Sequence, residues 1–153
     1  MSKDAMKHSN RNYLGVALAI ALCACANAAS PEEQPAVGSM RVAKAVGKTG
    51  APVEVRYEPT GATVRGQPTT LKLAFVPQIA GSELSVEFPT SDAVSIDSAV
   101  SRMAVSKAQR DAVYRRTLIV TPRLGDTAEL RVMVWLEAEG GRYFSIFTVP
   151  VGK

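Results

Sequence analysis

From Pro52 onward apolar and polar residues alternate in short runs. Val53, Val55 and Tyr57 fall on one face of an extended segment and Glu54, Arg56 and Glu58 on the other. Such period-two alternation is the mark of a half-buried β-strand, because successive side chains of an extended chain point to opposite sides. The turn sequence GATVRGQP follows, and TTLKLAFVP then sets Leu71, Leu73 and Phe75 inward until Pro77 ends the strand. SELSVEF repeats the pattern with Leu84, Val86 and Phe88 inside, between Gly81 and Pro89. Val94 with Ile96, and Val100 with Met103 and Val105, suggest two shorter strands, and SKAQRDA (106–112) is expected to be a hairpin connection. A strand over about Arg115 to Thr121 leads through Pro122 to a turn at Gly125-Asp126.

The longest run, TAELRVMVWLEAEG, puts Leu130, Val132, Val134 and Leu136 on one face and Glu129, Arg131, Met133, Trp135 and Glu137 on the other. Gly140-Gly141 is a two-residue hairpin signal, so RYFSIFTVPVG is expected to return antiparallel beside it. About seven short strands, turn signals every 8–12 residues and no amphipathic helix predict an all-β, Ig-like antiparallel β-sandwich over residues 51–153.

The N-terminal segment follows a different pattern. A basic, polar head (Met1 to Asn12) precedes an apolar run (Leu14 to Leu22) and the small-residue stretch CACANAAS. This is the layout of a secretory signal peptide, expected over residues 1–28, and the apolar run is much shorter than the roughly 20 residues that span a bilayer. Two processing sites compete. Ala26-Asn27-Ala28 before Ala29 suits ordinary cleavage, whereas Leu22-Cys23-Ala24-Cys25 resembles the bacterial lipobox, with Cys23 where Ala, Ser or Thr is usual. That resemblance implies acylation of Cys25, which would then become the first mature residue. Residues 29–50, rich in Ala, Pro, Gly and charge, read as a flexible tether, within which Met40, Val42 and Val46 suit a short first strand or turn. The expected location is the periplasm or the periplasmic face of the outer membrane, with membrane contact only through a lipid on Cys25.

Of 153 residues, 46% are hydrophobic and 21% charged, the balance of a globular domain. The formal net charge is +4, but Lys3, Lys7 and Arg11 against Asp4 place half of it in the removable head. The remaining basic residues are dispersed, so nucleic-acid binding, which needs them gathered on one face, is not expected. Both cysteines and the single histidine, His8, lie in or near the removable segment. The domain itself therefore has no thiol or imidazole for zinc, copper or haem, or for Ser-His-Asp and Cys-His catalysis. Its acids are mostly isolated on polar strand faces, and Asp92, Asp97, Asp111 and Asp126 lack the spacing of a calcium loop. The chain is expected to be no enzyme and to hold no metal or cofactor.

Several features together resemble the Ig-like sandwich domains of small exported bacterial envelope proteins. They are the V-x-V-x-Y strand (Val53, Val55, Tyr57), the Gly66-Gln67-Pro68 turn into an L-x-L-x-F strand, the TPRLGD turn, the Gly-Gly hairpin and the terminal VPVGK. The resemblance covers residues 52–153 and implies a fold rather than a catalytic site. The Cys-Trp-Cys pattern of antibody domains is absent.

Function is expected to reside in binding another envelope protein. Met133 and Trp135 point away from the inner row, joined from the hairpin partner either by Tyr143 and Phe147 or by Phe144 and Ile146. The candidate surface is Met133, Trp135 and Tyr143, since contiguous exposed apolar groups with aromatic anchors mark interfaces. The alternative is that a loop or the tether covers this face. A competing reading is a carbohydrate- or cell-wall-binding module in which Trp135 and Tyr143 stack on sugar rings while Arg131, Glu137 or Arg142 donate or accept hydrogen bonds. A third is a secretion accessory that pairs through an exposed sheet edge.

Overall fold

The computed structural model describes residues 36–48, 50–124 and 128–151. Alternation carries directly into strands. In chain order they are β1 (Arg41–Val42), β2 (Lys44–Val46), β3 (Val53–Thr60), β4 (Thr69–Pro77), β5 (Gly81–Glu87), β6 (Val94–Ile96), β7 (Arg102–Ala108), β8 (Tyr114–Pro122), β9 (Glu129–Ala138) and β10 (Gly141–Pro150). They form two antiparallel five-stranded sheets, ordered β1-β3-β4-β8-β6 and β2-β10-β9-β5-β7. The fold is an all-β sandwich. The expected inner rows meet between the sheets: Val55, Leu71, Phe75, Leu118 and Val120 on one side, and Leu84, Val86, Val132, Val134 and Leu136 on the other, are fully buried. Phe75 and Phe88 lie with ring centroids 6.3 Å apart in the same core.

Only β3–β4 and β9–β10 are sequence neighbours paired in one sheet; from β4 to β9 each successive strand changes sheet. The expected hairpin over 106–112 is therefore a crossing. Strand β7 continues to Ala108, and the chain then turns at Asp111, whose amide donates to the Pro77 carbonyl at 2.8 Å, before entering β8 in the opposite sheet. A hairpin needs both strands in one ladder, and β7 is laddered to β5 instead.

The second departure is in the stretch read as tether. Residues 41–46 form an edge strand of each sheet in turn: Arg41 and Val42 lie opposite Tyr57 and Arg56, and Lys44, Ala45 and Val46 opposite Thr148, Phe147 and Ile146. The Ala43 amide between them donates to the Val55 carbonyl at 2.8 Å. Met40 and Ala43 are buried, and the Arg56 guanidinium donates to the Val37 carbonyl at 2.8 Å. The turn from β2 into β3 is fixed by Ser145 of β10, a buried polar residue on the inner row. Its Oγ accepts from the Gly50 amide at 3.0 Å and the Ala51 amide at 2.9 Å. Gly50 lies so close to β10 that a Cβ there would stand 2.6 Å from the Phe144 carbonyl oxygen.

The expected signal peptide, Cys25 with both processing sites, and the Gly125-Asp126 turn lie outside the described residues.

Candidate functional site

The site is built on the outer face of the sheet that holds the β9–β10 hairpin. A two-residue loop, Glu139-Gly140, pairs Ala138 with Gly141 and so fixes every later pair: Trp135 opposite Phe144, and Met133 opposite Ile146. Gly140 and Gly141 adopt φ values of +100° and +130°, conformations that glycine takes without steric cost. Strand β5 lies on the other flank of β9, with Ser85 opposite Trp135, Glu83 opposite Glu137 and Glu87 opposite Met133. Val46 of β2 stands opposite Ile146. Opposed residues in an antiparallel ladder share a face, so Val46, Met133, Trp135, Phe144 and Ile146 form one apolar stripe across three strands. Phe144 is 40% exposed and Val46 50%, whereas Met133, Trp135 and Ile146 are half-buried.

The aromatic pair at its centre is tightly arranged. Trp135 and Phe144 have ring centroids 5.0 Å apart at an interplanar angle of 33°, and the Arg142 guanidinium carbon lies 5.7 Å from the centre of the Trp135 ring. Arg142 also forms an exposed ion pair with Glu137 at 3.8 Å.

Two of the three expected surface residues, Met133 and Trp135, are brought together; Tyr143 is not. It lies opposite Leu136, half-buried, and packs against the core from the inner face. Phe144 takes its place. The platform of Trp135 with Tyr143 that the carbohydrate reading requires is thus not formed, because the two side chains are on opposite sides of the sheet. Of the residues expected to bond a sugar, Arg131, Glu137 and Arg142 are exposed on Trp135's face, but Arg142 lies against the ring that would have to stack.

Elsewhere, a groove of about 450 Å³ runs beside β6, lined by Ile96, Asp97, Val100, Thr117 and Ile119 among others. Its carboxylate, Asp97, accepts from the Ala99 amide, capping a single turn of 3-10 helix. On β8 the Arg116 side chain joins the inner row and reaches toward the Val100 carbonyl at 3.5 Å, and its Nε is buried with no hydrogen-bond partner. Among the described residues no three His, Cys, Asp or Glu side chains are placed to hold a metal ion, and no helix is long and apolar enough to cross a membrane.

A β-sandwich presenting an aromatic, charge-rimmed outer sheet face is the class that fold and site define. No protein-family model matches the chain, and no curated protein matches its sequence.

Proposed function

We propose that this chain is a non-catalytic protein of the bacterial cell envelope, exported by its N-terminal segment, that binds another protein through the outer face of β9 and β10. The observation that carries the binding reading is the stripe of Trp135, Phe144, Met133, Ile146 and Val46, a row of large apolar groups where a solvated sheet face would alternate to polar ones. Protein partners suit it better than sugars. A pyranose stacks on an open indole face, while here the Arg142 guanidinium lies over the ring and Phe144 against it. Edge pairing has less support: β1, β2 and β6 are two or three residues long, and the one long edge, β7, carries Lys107 at φ +56°, which breaks the extended run.

Export rests on the basic head, the nine-residue apolar run Leu14–Leu22 and the small residues after it. Intact-mass measurement of the envelope fraction is expected to find a chain beginning at Cys25 with added acyl mass, or at Ala29 without it. A dominant cytoplasmic form retaining Met1 would end the export reading. Processing and membrane association both unchanged in Cys25→Ser would remove the lipid and leave a soluble periplasmic protein.

The binding face is tested by cross-linking in intact cells and by substitution of its anchor. Trp135→Ala is expected to reduce partner capture while costing only about 1–2 kcal/mol of stability, the sum of an aromatic pair and a cation–π contact. Since Trp135 is the single tryptophan, fluorescence reports on it alone. Iodide is expected to quench it, more so in Phe144→Ala. A strongly blue-shifted, unquenchable emission would place the indole in the core and remove the face's main anchor.

A further inference from the structure

The charges around the apolar stripe are distributed unevenly across the strands. On the β5 flank stand Glu83 and Glu87, and on the opposite flank Lys44 of β2, with Lys48 in the bend that follows Gly47. Between them lie Glu137 on β9 and Arg142 on β10, directly opposite one another. Three other charges border the face: Arg102 of β7, bridged to Glu87 at 3.1 Å, and Arg131 and Glu129 further along β9.

A twofold axis lying in this face, along the strands and between β9 and β10, would exchange those two strands between a pair of molecules. It would set Trp135 against Phe144 of the second copy, Met133 against its Ile146 and Glu137 against its Arg142. The Glu83–Glu87 flank of each molecule would meet the Lys44–Lys48 flank of the other. An isologous interface requires a patch to be its own complement; the β9 and β10 rows meet that requirement in apolar pairing and charge, while on the flanks Lys44 comes one row from Glu87 and Val46 faces Glu87 itself. We propose that the partner bound by the outer face of β9 and β10 is a second copy of this chain. The proposal rests on the reading of this face as an interaction surface and names its occupant. The face is small: four strands about 4.8 Å apart and three or four outward rows about 7 Å apart cover roughly 20 Å by 20 Å. That falls short of the roughly 800 Å² per partner of a standard interface, so the association is a weak, reversible one.

Sedimentation equilibrium of the protein in the form its cells accumulate, held in mild detergent, tests this. A reversible monomer–dimer equilibrium is expected, weakened by roughly tenfold or more in Trp135→Ala. The decisive measurement uses two charge reversals, Glu83→Lys with Glu87→Lys, and Lys44→Glu with Lys48→Glu, each checked for wild-type circular dichroism. Each reversed protein is expected to be monomeric alone, and the two mixed are expected to associate, because both flanks are then complementary again. A dimer unaffected by Trp135→Ala and by either reversal uses another surface and overturns the proposal. A monomer at every concentration also overturns it. In that case, cross-linking from the same face to a different protein leaves the interaction reading standing, and the absence of any such product removes both.

Discussion

Val134→Asp is expected to unfold the protein, and Val132→Asp to do the same. Both valines are fully exposed to the core and not at all to water. Val134 lies between Val86 of β5 and Ser145 of β10, and Val132 opposite Phe147, so an introduced carboxylate has no cation beside it in the ladder. Burying an unpaired charge costs several kcal/mol, a large share of the roughly 5–15 kcal/mol that holds a domain together. Met133, between the two valines, supplies the control. Its side chain is on the outer face, so Met133→Asp is expected to leave a cooperative thermal transition close to that of the unaltered protein. Soluble yield and thermal melts followed by circular dichroism decide the matter. A folded Val134→Asp variant, or equal damage from Met133→Asp, would contradict the register of β9.

The second large effect is expected at Ser145. Removing its hydroxyl in Ser145→Ala leaves the Gly50 and Ala51 amides without their acceptor. Orphaning a buried donor costs about 1–3 kcal/mol, so the two together come to roughly 2–4 kcal/mol in urea denaturation, one amide being only partly buried. Thr148 on the same strand offers the contrast, since its hydroxyl makes only an exposed 3.5 Å contact with the Lys44 carbonyl. Thr148→Ala is expected to cost less than about 0.5 kcal/mol. Equal, small losses for the two variants would mean that Ser145 does not fix the β2–β3 turn.

The strands from Val53 onward were legible because their inner rows are filled mostly by large apolar residues, Arg116 and Ser145 apart, and their outer rows, outside the β9–β10 stripe, mostly by polar ones. The first strands were marked only as a short strand or turn around Met40, Val42 and Val46, because their pattern is inverted. The inward positions hold Arg41, opposite the buried Tyr57, with Ala43 and Ala45, while Val42 and Val46 face outward at 59% and 50% exposure. Here hydrophobicity marks the wrong side, and small residues do the inward packing where the edge strand approaches its neighbours closely. The crossing of β7 to β8 left no local mark either, since a short polar connection looks the same whether it returns within a sheet or passes to the other one.

The placement of Tyr143 could have been read. A two-residue loop joins strands in a register where opposed residue numbers add to an odd total, so Trp135 can have only even-numbered partners on β10. Phe144 and Ile146 follow from that parity alone, whichever two residues form the turn. Tyr143 on the outer face would have required a loop of odd length. The aromatic content of both faces of RYFSIF concealed this, because Tyr143 and Phe147 look as suited to a surface as Phe144 and Ile146.

The split first strand bears on how the domain carries mechanical load. Residues 41–46 run antiparallel to both β3 and β10, joined by two residue pairs to the first and three to the second. Tension applied at Ala36 therefore reaches β10, the strand bearing Phe144 and Ile146, by way of the buried Met40 and Ala43 and a short ladder. Antiparallel hydrogen bonds lie perpendicular to the strands. A pull along the strand direction loads them together in shear, whereas a pull away from the sheet opens them one after another. The domain is expected to resist being dragged along its strands and to yield, from Arg41 inward, when it is lifted off.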